Sequence, residues 1–278
     1  MNAFLSTPHA LSLHHLTALD ATPEELIAIA GELRCDHVCL FAHVPEAARH
    51  VYPRVGEGDV PAVAEALRKA GVTLCNIEVF PLDSDPDWAG FGKALAVGHA
   101  LGATRATAHV HDADEAEGAR RLARLCDMAA GFGIIVGLEF NGFSAVRTID
   151  RAAAILAAAD RANVALVCDM LHLVRSGGGA ADVARHRDRI GYLQLSDGPS
   201  DIAADLRWHE AIRERMLPGD GAFPLAATLA AIRPGTVIDI EVPQAAARKA
   251  GVSARERARR AVTATRHLLP RATSEARP

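Results

Sequence analysis

The sequence predicts a single-domain (β/α)8 TIM barrel. Short apolar segments recur about 30 residues apart, the length of one strand–helix unit. Helix signals fall after each of them. Eight such units fit into 278 residues, half of them hydrophobic, which is enough for one large core. Apolar strands joined by helical crossovers make a parallel sheet, and eight of them close most economically into a barrel. A doubly wound open sheet is the competing arrangement; no G-x-G-x-x-G follows the first strand to support it.

The elements follow in order. ALSLHHL (10–16) reads as the first strand. Thr22-Pro23-Glu24-Glu25 then starts a helix, with Thr22 as cap, Pro23 in the first turn and Glu25 reaching back. HVCLF (37–41) is the second strand, followed by a helix over 61–70 that Gly71 stops. VTLCNIEVF (72–80) is the third, and the helix through KALAVGHAL ends at Gly102. ATRATAHV (103–110) precedes a long helix over 114–130, and IIVGLEF (134–140) precedes one over 148–159. NVALVCD (163–169) is followed by a helix over 180–189, and IGYLQLS (190–196), after a long connection, by one over 224–232. TVIDIEV (236–242) is the eighth strand, and Ser253 opens a last helix reaching Leu269. The barrel is expected to occupy 1–270, with 271–278 a frayed tail.

The net charge of -4 supplies no basic face for nucleic acid, and ARERARR (254–260) reads as one exposed helix face. The five cysteines, Cys35, Cys39, Cys75, Cys126 and Cys168, are odd in number, contain no C-x-x-C and mostly sit in apolar runs. Reduced, buried thiols and a cytoplasmic location are expected. The N-terminus lacks the pattern of a signal peptide, and no run approaches the roughly 18 apolar residues of a membrane helix.

In such barrels the chemistry sits at the C-terminal ends of the strands. Strands five to eight end in Glu139, Asp169, Gln194 and Glu241. One such residue alone is usually a cap or a loop partner; four at corresponding positions call for another explanation. Three carboxylates converging in one half of the mouth repel one another, and burial adds to the cost. A divalent cation relieves both, and a set of oxygen donors suits Mg²⁺ or Mn²⁺ better than zinc. His172 follows Asp169 by three residues, one helical turn, so both can point to the same side. Arg213 and Arg215 stand before LPGDG, where a cationic fork could hold a substrate oxygen or carboxylate. LPGDG (217–221) itself reads as a turn. Glu78, His109 and His111 line the opposite half of the mouth. Of His14 and His15 only one can point inward, and His15 is taken as that residue.

LEFNGFSAVRTI, CDMLHLVRSGG, YLQLSDGP, RMLPGDGAFPL and IDIEVP resemble the xylose isomerase-like TIM barrels, the sugar phosphate isomerase/epimerase group. The resemblance spans 136–243 and is weaker over strands one to four, where it rests on SLHHLTALDATPEEL and Glu78. It implies that Glu139, Asp169 and Glu241 bind a divalent metal, and that His172 and Arg215 touch substrate oxygens. It also implies that Glu139 and Glu241 flank the substrate and exchange protons with it. Gln194 departs from the usual histidine, as in the branch that includes bacterial 3-dehydroshikimate dehydratases, and away from the histidine-rich nuclease relatives. The expected activity is isomerisation or epimerisation of a keto sugar or polyol ketone through an enediolate. A 3-dehydroshikimate dehydratase-type lyase is the alternative, and a non-catalytic metal-bound subunit that binds a sugar or a partner enzyme is a third reading. Phe41 stands where related dehydratases often carry an arginine, which counts against a carboxylate-bearing substrate. No glycine-rich phosphate loop follows strands seven and eight, which favours an unphosphorylated cyclic or open-chain hydroxy-ketone. The expected partner is that small molecule, with no nucleic acid or membrane; a homo-oligomer stays open.

Overall fold

A computed structural model describes residues 9–111 and 114–269. The expected tail at 271–278 lies outside them. Eight parallel strands close in sequence order into a barrel: β1 Leu11–His14, β2 His37–Phe41, β3 Thr73–Leu82, β4 Arg105–Val110, β5 Ile135–Glu139, β6 Val164–Asp169, β7 Ile190–Leu195 and β8 Val237–Ile240. Pairing of Leu13 with Ile240 closes the ring. The helices of the outer layer are α1 Pro23–Glu32, α2 Val60–Ala70, α3 Trp88–Ala100, α4 Glu115–Ala130, α5 Ile149–Ala159, α6 Met170–Arg175, α7 Ala180–His186, α8 Arg207–Ile212, α9 Leu225–Ala231, α10 Ala245–Lys249 and α11 Ala254–Leu268. The capping box at Thr22 and Glu25 is formed, with Pro23 in the first turn.

Strand periodicity sets what reaches the mouth. In each strand alternate side chains enter the barrel. Val167, Tyr192 and Val237 pack with Cys75 into a small apolar cluster of their own. Two residues further along the same faces stand Asp169, Gln194 and Asp239, and two beyond Asp239 stands Glu241. The intervening residues, such as Leu193, Leu195, Ile238 and Ile240, join the large core that includes the helices. The ladder therefore lifts polar groups toward one end of the barrel above an apolar plug.

Several boundaries differ from expectation. β1 stops at His14 because the His14 Nδ1 accepts the Leu16 N–H (2.9 Å), turning residues 15–18 into a 3-10 helix. β8 ends at Ile240, so Glu241 lies just past the strand, its N–H bonded to the Leu195 carbonyl. Helices α6, α8 and α10 occupy loops that carry little periodicity of their own. The basic stretch 254–260 is not wholly exposed: Arg257 is buried, pairs with Asp20 and donates to the Val252 carbonyl. All five cysteines are free and buried. Among the described residues no helix is long and apolar enough to cross a membrane.

The long connection after β7 is held by one side chain. Buried Asp197 accepts the N–H groups of Gly198 (2.8 Å) and Phe223 (3.0 Å) on one oxygen and of Gly219 (2.9 Å) and Gly221 (3.1 Å) on the other. The LPGDG turn is thus wrapped around a carboxylate. Asp197→Ala is expected to lower the free energy of unfolding by about 3 kcal/mol, since charged hydrogen bonds are lost and N–H groups left bare. Urea denaturation followed by circular dichroism measures it.

Candidate active site

The C-terminal mouth of the barrel opens into a cavity of about 300 Å³. At its polar end the side chains form two linked networks. In the first, Glu78 Oε2 accepts from His14 Nε2 (2.8 Å), while its Oε1 accepts from Asn76 Nδ2 (3.1 Å) and from Gln194 Nε2 (3.2 Å). Because His14 Nδ1 already accepts a backbone N–H, its proton lies on Nε2, facing Glu78. In the second, Glu139 receives His109 Nε2 on one oxygen (3.0 Å), with His172 Nε2 3.5 Å from the other.

Arg215 is inserted among the remaining carboxylates. Its Nη1 donates to Asp169 Oδ2 (2.8 Å), its Nη2 lies 3.3 Å from Glu241 Oε1, and its Nε donates to the Ala211 carbonyl (3.0 Å). Asp169 also caps α6, its Oδ1 accepting the N–H groups of Leu171 (2.6 Å) and His172 (3.3 Å). The cap is what aims His172, the D-x-x-H pair being the first turn of that helix. Burial alone would raise the Asp169 carboxyl, but the Arg215 guanidinium outweighs it and holds the group below the ordinary carboxylate range. Glu241 goes the other way: burial, with Asp169 and Glu78 nearby, pushes it well above that range despite Arg215 and His14. Burial also keeps His172 below the usual imidazole value against the pull of Asp169 and Glu139, so it is neutral at neutral pH. For His109 burial pulls down, but the charge and hydrogen bond of Glu139 prevail and raise it.

The expected residues are distributed as follows. Ligand atoms of Glu139, Asp169 and His172 lie within 4.8 Å of one another. Glu241 joins them through Arg215, and Gln194 through Glu78. Glu78 and His109 are in the cavity with them. His15 is not: it is buried, bonded to the Ala21 carbonyl (3.0 Å) and stacked on Phe41, and His14 occupies the mouth instead. The pattern Leu11-Ser12-Leu13-His14 carried that signal, because leucines in a barrel strand face the helices. Arg213 is exposed and lines an outer groove with Tyr52 and Arg248, apart from the cavity. Phe143 and Trp208, which line the mouth, were not singled out from the sequence. Nor was Arg175, whose bidentate pair with buried Glu210 (2.8 and 2.5 Å) docks α8 against α6.

The donor set fits a divalent cation. Gln194 Oε1 and Glu241 Oε2 are buried oxygens with no hydrogen-bond partner. Four buried carboxylates, Glu78, Glu139, Asp169 and Glu241, share the Arg215 guanidinium and the ring N–H groups of His14 and His109. Acceptor oxygens in excess of donors are what a hard cation satisfies.

A parallel eight-stranded barrel with buried carboxylates gathered at its C-terminal mouth defines the class of barrels that place their chemistry there. The chain belongs to the xylose isomerase-like TIM barrel family, whose sequence model matches residues 27–267. A stretch of 115 residues is 31% identical to a 3-dehydroshikimate dehydratase of Pseudomonas aeruginosa, covering 40% of this chain and 18% of that protein. Among solved structures, the IolI protein with a bound zinc atom superposes with a TM-score of 0.77 at 19% identity, over 95% of this chain and 99% of that one. The probable 3-DHS dehydratase AsbF of Bacillus anthracis gives 0.74 at 13% identity, over 92% and 98%. D-allulose 3-epimerase of Methylomonas sp. gives 0.69 at 17%, over 96% and 100%.

Below the mouth, Asp239 is fully buried and neither oxygen has a hydrogen-bond partner. Burial, only partly offset by His14, raises its pKa to about 6. A carboxyl that holds its proton more tightly folded than unfolded loses stability as pH rises. The loss begins above the unfolded value of about 4 and is complete past about 6. Asp239→Asn removes that dependence. The stability difference between variant and wild type is expected to grow in the variant's favour by about 3 kcal/mol between pH 4 and 8, measured by denaturation at each pH.

Proposed function

We propose that the protein is a divalent-metal-dependent isomerase or epimerase acting on an uncharged sugar or polyol ketone. The observation that carries this reading is the pair of bare buried oxygens, Gln194 Oε1 and Glu241 Oε2, in a pocket of excess carboxylates. Glu139, Asp169, Gln194 and Glu241 would hold the cation, Mg²⁺ or Mn²⁺ being favoured by a set made of oxygen donors. When bound, it supplies the Lewis acidity that polarises a ketone and stabilises its enediolate.

The side chains do the rest. Glu241, with Oε2 left for the cation and Oε1 3.3 Å from Arg215 Nη2, would take the proton next to the carbonyl on its Oε1. Glu139, bonded to His109 and with His172 Nε2 3.5 Å from its other oxygen, would return one, the proton reaching it from His109. His172, neutral and in the cavity, and Arg215, His109 and Glu78 beside it orient the substrate oxygens. An uncharged substrate is supported by the cavity's cations. Among the described lining residues the one arginine is Arg215, with every guanidinium nitrogen engaged, and there is no lysine. Phe41, in the position of the dehydratases' arginine, lies in the cavity wall. The second reading, dehydration of 3-dehydroshikimate by the same enolisation, is favoured by the relative from P. aeruginosa.

Metal analysis together with a ketose screen in deuterated water separates these. Stoichiometric Mg²⁺ or Mn²⁺ with deuterium entering beside a ketose carbonyl is expected. Gln194→Ala is expected to weaken metal binding by at least about tenfold, and Glu241→Gln to slow exchange by about 10²–10⁴-fold. Loss of water from 3-dehydroshikimate selects the second reading, and metal binding without exchange at any ketone selects a non-catalytic subunit. No metal uptake overturns the proposal.

A further inference from the structure

The cavity has two unlike halves. Its floor is ionic. Its walls and rim are largely hydrocarbon, from Phe41, Tyr52, Pro81, Phe143, Trp208 and Ile212, which come from the end of β2 and the segment after it, the end of β3, the segment after β5 and α8. Beyond the floor, the polar groups lining it are Asn141, His111, the Tyr52 hydroxyl and the Trp208 indole N–H, and Asn141 Oδ1 is already bonded to the Phe143 N–H (3.0 Å). A free ketose carries oxygens around its whole length. The floor can meet those near the carbonyl, while the others would face walls that are mostly hydrocarbon and offer few hydrogen-bonding groups.

The rim adds an independent observation. Four large hydrophobic side chains are exposed among the described residues: Ile135, Phe143, Leu206 and Trp208. Phe143, 40% exposed, and Trp208, 56% exposed, meet edge to face at the cavity mouth, ring centroids 4.8 Å apart. Leu206 borders the adjoining groove under α8. The position of Trp208 is fixed, because the Arg175–Glu210 pair docks its helix. Exposed aromatic side chains clustered at the opening of an apolar chamber mark a surface that a ligand covers.

From this we infer that, among the uncharged hydroxy-ketones of the functional reading above, the preferred substrate bears an apolar, ring-sized substituent, gripped between the Phe143–Trp208 pair and the Phe41–Tyr52 wall. The hydroxy-ketone end rests on the functional reading above; the apolar end rests on the cavity wall alone. Phe143 and Trp208 are then the residues that set specificity.

Two probes share the hydroxy-ketone and differ in that substituent: 2-hydroxyacetophenone, with a phenyl ring, and hydroxyacetone, with a methyl in its place. Calorimetric titration of the Mn²⁺-loaded protein is expected to show the aryl ketone binding at least tenfold more tightly. In the Phe143→Ala/Trp208→Ala variant, whose changes fall on exposed side chains, the ratio is expected to drop below threefold. Equal affinities in the wild-type protein overturn the inference, and so does a ratio that survives in the double variant. Proton exchange of both ketones in deuterated water is followed alongside. A preserved tenfold ratio with no exchange removes the enolisation reading and leaves this one standing.

Discussion

Negative charge crowded at the end of the barrel is the constraint around which the site is organised. Glu78, Glu139, Asp169 and Glu241 are all more than nine-tenths buried. Each buried ion carries a desolvation penalty of several kcal/mol, and like charges about 4 Å apart add up to roughly 4 kcal/mol at an effective dielectric of 20. Arg215 answers two of the four, and histidine protons answer Glu78 and Glu139. What is left, a neutral amide oxygen and one carboxylate oxygen without donors, is the part of the electrostatic problem that the protein's own groups do not solve.

The same constraint shapes the rest of the cavity. With Arg215 occupied by Asp169 and Glu241, and His14 and His109 turned to Glu78 and Glu139, the site's basic groups are already paired with carboxylates, and a further anion would add to the existing repulsion. An apolar wall sharpens this, because it lowers the local dielectric and strengthens each interaction at the floor. Ionic floor and largely hydrocarbon wall together would favour, on the proposed reading, a ligand that is polar at one end and uncharged throughout.

Much of the barrel was legible because its signals are local and repeated. The strand pattern, the Thr22–Glu25 box and the strand-end oxygens at Glu139, Asp169 and Gln194 each depend on spacing within a few residues. The D-x-x-H pair was legible for the same reason, since Asp169 caps the helix that carries His172. His15 was misplaced because adjacent histidines look alike until the outward phase of Leu11 and Leu13 is used. The cavity wall was invisible for a different reason. Phe143, Trp208 and Tyr52 lie on connections without hydrophobic periodicity, and their meeting depends on tertiary docking.

That docking ties the stability of the loops to the chemistry of the mouth. Asp169 belongs to both: one oxygen starts α6 and the other binds Arg215. Helix α6 carries His172 into the cavity and, one turn later, Arg175 onto Glu210 of α8, which sets Trp208 at the rim. A change at the Asp169 carboxylate would therefore disturb the ionic floor and the aromatic rim at once. The Phe143 ring meets His172 edge to face, centroids 6.1 Å apart, but the hydrogen bonds and ion pairs of the carboxylate network run through neither Phe143 nor Trp208. On the proposed reading, a change at the rim would alter what the apolar end of a substrate meets, while a change at Asp169 would alter both ends of the cavity.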